Sequence, residues 1–264
     1  GAVDWNVRNF HGHTYSTTRG TTFNAYLVKD EKTALVDSVH GPFAEEMLDK
    51  IREITPLSKI DLVVANHVEN DHSGALPRLM RERPGLKLYG TAKCRDGLFM
   101  NYHENWNFQT VKTGDTINLG KKTLTFIEAP MLHWPDSMFT HVGPDAVLMP
   151  NDAFGQHYAS AERYADEVPG AILMEEAAKY YANILMPFGT LVQRKIEELA
   201  GSGLPVNMIA PSHGLIWRKD PAKILNAYMS WAKNETKHKV VIAYESMWNA
   251  TDAMARKIAE GVLS

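Results

Sequence analysis

Apolar and polar positions follow two rhythms along this chain, one of period two and one of helical period. Thr22 to Val28 and Thr33 to Asp37 are β-rich runs on either side of the polar Lys29-Asp30-Glu31-Lys32, which predicts a hairpin. Apolar residues at 43, 47, 48, 51 and 54 then give Phe43 to Ile54 a helical period. Leu62 to Ala65 is a short, wholly apolar run, the pattern of a buried strand. Ser73 is placed to cap a following helix that carries Leu76, Leu79 and Met80 on one face. Leu86 to Tyr89 predicts another strand and Ala92 to Tyr102 a helix. From Phe108 to Leu148 the pattern is mostly strand, with turns at Gly114-Asp115, Gly120-Lys121 and Gly143-Pro144-Asp145. Helices are expected over roughly Ala171 to Glu198, broken near Pro187 and Gly189. A strand follows at Val206 to Ala210 and a helix at Pro221 to Trp231. This order predicts an α/β protein in which two sheets pack together with helices outside. No internal repeat or low-complexity tract interrupts it.

The last stretch reads differently. Lys239 to Tyr244 predicts a short buried strand, Glu245 to Ala250 a turn, and Thr251 to Leu263 an amphipathic helix with Met254, Ile258 and Val262 aligned. The polar Lys233 to Lys237 reads as a linker. One strand and one helix cannot bury a core alone. The tail is therefore expected either to pack on the main domain or to open a second domain that the sequence does not continue. Gly1 in place of an initiating Met points to processing or an artificial boundary.

Composition narrows the function classes. At 264 residues the chain is long enough for a large core. A net charge of −3 argues against a dedicated nucleic-acid binder. The longest apolar runs, such as Ile60 to Ala65, are too short to span a bilayer, and no charged start leads into an apolar signal region. Cys94 is the single cysteine, which excludes an intrachain disulfide and favours a reducing, cytoplasmic location.

The candidate chemistry is concentrated in His67-Val68-Glu69-Asn70-Asp71-His72, with four potential metal ligands in six residues. Mixed imidazole and carboxylate donors suit transition metals. His67, Glu69 and Asp71 recur at every second position, so an extended backbone places them on one side. So polar a segment is expected in a loop at a strand end. His133 follows the strand-like Thr123 to Ala129, Asp152 follows Ala146 to Met149, and His213 follows Val206 to Ala210 and precedes Gly214. Taken singly, such residues are ordinarily turn, cap or packing residues. Together they offer more donors than one zinc needs, and about the number that suits two metals sharing a bridging carboxylate. Glu69 stands where a zinc hydrolase would normally have another histidine. That makes the set harder and more anionic, favouring iron over zinc.

The pattern His67-x-Glu69-x-Asp71-His72-Ser73-Gly74, then His133 with eighteen residues between it and Asp152, then Ser212-His213-Gly214, resembles the flavodiiron proteins. These are oxygen and nitric-oxide reductases built on a metallo-β-lactamase-like domain. Met131 to Met138, Asn151 to Tyr158 and the entry from Trp5 to Tyr26 are similar too, so the resemblance covers essentially the whole chain. It implies an αββα sandwich over residues 1–236. His67, Glu69 and His133 would bind one iron, Asp71 and His213 the other, and Asp152 would bridge them. His72 occupies a position that is a ligand in some members and swung away in others. Residues 237–264 look like the first strand and helix of a flavodoxin-like domain. Its first phosphate loop for FMN would be Ser246-Met247-Trp248-Asn249-Ala250-Thr251, and hydroxyls with N–H groups at a helix start suit a phosphate. The resemblance further implies reduction of O2 to water or of NO to N2O. Electrons would come through FMN from a rubredoxin-type donor, in a head-to-tail homodimer or dimer of dimers. Tyr158, His157, Tyr180 and Tyr181 are candidate proton or hydrogen-bond donors near the metals. A zinc-dependent hydrolase of the same fold, a degenerate metal module and a merely packing tail helix are the alternatives.

Overall fold

The computed structural model describes residues 1–10, 12–236 and 238–263. Lys237 and Ser264, the two ends of the expected second domain, lie outside the described residues. The chain divides into two compact units, Gly1–Lys233 and Asn234–Ser264.

The first unit is built on two five-stranded sheets. In one, the order is Tyr26–Lys29, Thr33–Val36, Ile60–Val64, Lys87–Gly90 and Phe108–Thr110. Its first pair is the expected antiparallel hairpin, in the register Tyr26 opposite Val36, and the later pairs are parallel. In the other, the order is Thr116–Asn118, Thr123–Glu128, Met138–Gly143, Val147–Met149 and Met208–Ile209. It is antiparallel until the last pair, which is parallel.

Period-two alternation sorts the apolar side chains into three layers. Val28, Ala34, Val36, Leu62 and Val64 of the first sheet cluster with Leu124, Phe126, Met138, Val142 and Met149 of the second, forming the core between the sheets. The alternate residues Leu35, Val63 and Leu88 face the helices Ala44–Ile54, Leu76–Glu82 and Ala92–Tyr102. Ile127, Phe139, Leu148 and Ile209 face Gly170–Ile184, Gly189–Gly201 and Ala222–Ala232. Both faces of each sheet are thus buried, which is why the strands read as nearly continuous apolar runs. The result is the αββα sandwich. The break expected near Pro187 is a 3-10 turn at Met186–Phe188.

Three local expectations need correction. Thr22 to Val28 is two strands, because the chain breaks at Asn24. That residue's backbone N–H donates to Ser212 and its side chain donates to the carbonyls of Pro211 and Gly214. Ser73 does not cap the helix after it. It ends a short turn of helix, Asn70–Ser73, and its hydroxyl is engaged with the carbonyls of Val68 and Glu69 and the phenol of Tyr102. Lys239 to Tyr244 is neither a strand nor buried: Val240 and Val241 are 58% and 78% exposed. A strand needs a neighbouring backbone to bond to, and among the described residues none pairs with this segment. The amphipathic helix that follows is present, at Ala250–Leu263.

Candidate metal centre

Four connections leave the sheets at their common edge and converge. His67 follows Ile60–Val64, His133 follows Thr123–Glu128, Asp152 follows Val147–Met149 and His213 follows Met208–Ile209. The loop backbones are unusual there: Asp37, Met131, Asn151 and Phe154 all have positive φ, a conformation that non-glycine residues adopt only when the surroundings hold them. Gly214 has φ +79°, and a Cβ at that position would lie 1.6 Å from Gln156 Oε1. Only glycine fits directly after His213.

Asp152 sits at the centre with its two oxygens turned to two different groups. Oδ2 lies 3.6 Å from His67 Nε2 and 3.5 Å from His133 Nε2, and each of those nitrogens is 3.4 Å from Glu69 Oε2. Oδ1 lies 3.1 Å from His72 Nε2 and 3.4 Å from His213 Nε2, and His213 Nε2 is 3.1 Å from Asp71 Oδ2. The donor atoms of His67, Glu69 and His133 all fall within 4.8 Å of one another, as do those of Asp71, His72 and His213. All seven residues singled out in the sequence therefore meet. The ring of His72, whose role was open, is turned inward with the second triad.

The groups behind these side chains fix their orientation. His67 Nδ1 lies 3.0 Å from Asp136 Oδ2, which also accepts the Val68 N–H at 2.8 Å. His213 donates Nδ1–H to the Thr22 carbonyl at 2.7 Å. In both cases Nε2 keeps its lone pair for the centre. Tyr180 donates its hydroxyl to Asp152 Oδ1 at 2.6 Å. Asp37 accepts from the backbone N–H and the side-chain amide of Asn66, and Asn66 in turn accepts from Thr140 on the other sheet. Asp136, Asp37 and Asn66 were missed by sequence reasoning. Asp37 lies just past the strand Thr33–Val36, the same setting that marked Asp152, so that signal was available. Of the four donors suggested near the metals, Tyr180 alone has a direct bond to a ligand candidate among the contacts described. His157 bonds Thr21 Oγ1 and packs 5.1 Å from the His213 ring. Tyr181 packs on Tyr228 and Trp231, and Tyr158 packs on the core.

The electrostatics describe a pocket made for cations. Burial opposes charging His133 and His213, yet hydrogen bonds to Asp152 and to Glu69 or Asp71 outweigh it and raise them to about 9 and about 10. Against the same burial, His67 is raised by its bonds to Asp136 and Glu69, and His72 by the nearby charges of Asp152 and Asp71. Burial would raise Glu69, Asp71 and Asp152, but the imidazoles beside them hold all three below the usual carboxylate range. Without metal, protons on the imidazoles supply the positive charge that the carboxylates demand. Asp152 Oδ2 and His213 Nε2 are buried and meet their charged neighbours only across contacts of 3.1–3.6 Å that are not aligned as hydrogen bonds, the arrangement of atoms that converge on a shared central point. The donors fit a pair of metal ions bridged by a carboxylate, and the share of carboxylate suits iron. A cavity of about 430 Å³, lined among others by Phe10, Phe23, His40, Glu69, Asp71 and Trp134, opens over the centre.

Fold and site together define a metallo-β-lactamase-like domain with two adjoining triads of candidate metal ligands. Residues 21–214 match the family model described as ODP family beta lactamase. The chain is 52% identical to a nitric oxide reductase of Moorella thermoacetica, covering all of this chain and 66% of the relative. It is 48% identical to an anaerobic nitric oxide reductase flavorubredoxin of Vibrio vulnificus, covering 99% of this chain and 53% of that protein. Among solved structures, the rubredoxin oxygen:oxidoreductase of Desulfovibrio gigas superposes with a TM-score of 0.95 at 42% identity, over 99% of this chain and 66% of that one. The flavodiiron protein of Giardia intestinalis gives 0.92 at 39%, over 99% and 64%. The chain belongs to the flavodiiron proteins. It spans between about half and two thirds of the length of these curated relatives.

Proposed function

We propose that the protein of which this chain is part reduces O2 to water, NO to N2O, or both, at a non-haem diiron centre. His67, Glu69 and His133 would hold one iron, Asp71, His72 and His213 the other, and Asp152 would bridge them. The observation that carries this is Asp152, with one oxygen turned to each triad. The names of the relatives give it its redox direction. When bound, an iron pair supplies two electrons and a place for two substrate atoms side by side. The protein's part is positional. Asp136 and the Thr22 carbonyl hold imidazoles in the tautomer that leaves Nε2 free. Tyr180 orients the bridging carboxylate. Phe10, Phe23 and Trp134 give the mouth an apolar wall that suits a small uncharged gas.

The second unit supports the start of a flavodoxin-like FMN domain over residues 237–264. Ser246 Oγ has no hydrogen-bond partner among the described residues and stands just before the helix Ala250–Leu263. The first N–H groups of that helix have no partner within it. Ser246, Met247, Trp248, Asn249, Ala250 and Thr251 would form the loop for the FMN phosphate. Electrons would then come through FMN from a rubredoxin-type carrier, in a head-to-tail homodimer or dimer of dimers. No helix among the described residues is long and apolar enough to cross a membrane, and the single, buried Cys94 suits the cytoplasm.

The test is iron, zinc and flavin quantification on the complete protein, then anaerobic assay with reduced rubredoxin and either gas. Two irons and one flavin per chain with turnover of O2 or NO are expected. Two zincs with no iron would overturn the redox reading in favour of a hydrolase.

A further inference from the structure

The two triads differ in what stands behind them. His67 Nδ1 faces the carboxylate of Asp136 at 3.0 Å, and Asp136 is itself held by the Val68 N–H. An anionic acceptor fixes the tautomer and makes Nε2 a stronger donor to a cation. In the other triad, His213 Nδ1–H meets only the neutral Thr22 carbonyl. His72 Nδ1 is buried with no hydrogen-bond partner among the described residues. The tautomer that frees His72 Nε2 for a metal therefore strands a buried N–H, which costs free energy.

The bridge is unequal too. Asp152 Oδ1, the oxygen near His72 and His213, also accepts the Tyr180 hydroxyl at 2.6 Å. Part of its lone-pair density is committed there. Oδ2 faces only the ligand candidates His67 and His133, at 3.6 and 3.5 Å, has no well-aligned donor among the described residues, and keeps its density for a cation. The greater exposure of the Glu69 side chain than of Asp71, 21% against 9%, works the other way. The differences at His67, His72 and Asp152 all lie deeper in the protein and outweigh it.

Resting on the diiron reading, we propose that the subsites hold metal unequally. The His67–Glu69–His133 subsite is the tight one, and the Asp71–His72–His213 subsite releases its ion first. Asp136 is the positioning residue that sets the difference, and the second subsite is the one whose ligation is readily exchanged.

The full chain is loaded with Co(II) and dialysed against a graded series of chelator buffers, recording cobalt per chain and its visible absorption. Two release steps are expected, separated by about 10–100-fold in free Co(II), with Asp136→Asn closing most of that gap by weakening the tight step alone. Asn at 136 keeps an acceptor for the Val68 N–H, so the loop is retained. In the species with one cobalt, Glu69→Gln changes the absorption bands and Asp71→Asn leaves them as in the parent. A single release step, an Asp136→Asn effect on both steps alike, or a one-cobalt spectrum that responds to Asp71→Asn and not to Glu69→Gln overturns the proposal. A chain that holds no cobalt at all overturns the diiron reading with it, whereas two cobalts that leave together overturn only the inequality.

Discussion

Asn66 joins the two sheets directly beside the first metal-ligand candidate, so its removal tests how the fold supports the site. Its side-chain amide donates to Asp37 Oδ2 at 2.9 Å and its carbonyl accepts the Thr140 hydroxyl at 2.7 Å, with all three residues buried. Asn66→Ala keeps the backbone N–H bond to Asp37 and removes these two side-chain bonds together with a longer one, 3.4 Å, from the same amide to the Met149 carbonyl. Burial raises Asp37 to about 6, against the pull of His72 and the Asn66 bonds, so at pH 7 the lost partner is that of an ion. A hydrogen bond to a charged group contributes about 1.5–3 kcal/mol, and a buried hydroxyl left unsatisfied costs about 1–3 kcal/mol. The expected loss is therefore about 3–5 kcal/mol, read from urea unfolding followed by a probe in the first unit. Adding Thr140→Val to Asn66→Ala should recover about 1 kcal/mol, because it removes the stranded hydroxyl. At pH 5 the penalty should shrink, since Asp37 is then largely neutral. A loss below about 1 kcal/mol at pH 7, or strict additivity of the two substitutions, would refute the view that Asn66 acts as a buried latch.

Three further outcomes are expected. Tyr180→Phe removes the donor to Asp152 Oδ1 and should destabilise the metal-free protein by about 1.5–3 kcal/mol, measured by denaturant unfolding with the packing of the ring unchanged. Gly214→Ala forces a side chain into Gln156 at positive φ, so its melting temperature should drop by the equivalent of more than about 2 kcal/mol; an unchanged melting curve would contradict the contact. The third concerns pH. His133 and His213 have folded values of about 9 and about 10 against an ordinary 6.5, so their contribution is complete below 6.5 and is lost as pH rises through the folded values. The chelator-treated protein should thus melt at progressively lower temperature from pH 7 to pH 10. The metal-loaded form should hold its melting temperature over that range, because its imidazoles are already deprotonated.

The elements that the sequence made legible were those with local causes. The helix Ala92–Tyr102 was read with its observed bounds, and the hairpin around Lys29 to Lys32 with its pairing. Each depends on residues a few positions apart, which the chain presents side by side. The seven metal-ligand candidates were legible because four crowd into residues 67–72 and the other three each follow an apolar run, and strand ends at one sheet edge converge. Tail residues 239–244 show the limit of local reading: Val240 and Val241 have strand-forming side chains, yet a strand also needs a neighbour, and sequence pattern cannot supply one.

What only the tertiary structure decided is the fine geometry of the centre and what stands behind its ligand candidates. The resemblance had already named Asp152 as the bridge; the structure shows how it comes to stand between the two groups, because the loops after two strands of one sheet and one of the other meet across it. Asp136 reaches His67 over 69 residues and Asp152 reaches His72 over 80. No period or spacing encodes such distances, since they are set by how two sheets stack. The sequence by itself determined that this is an αββα protein of the flavodiiron type with a full set of candidate metal ligands. Which oxygen faces which triad, which histidine has a carboxylate behind it, and which buried nitrogen has no partner were settled only once packing had placed them.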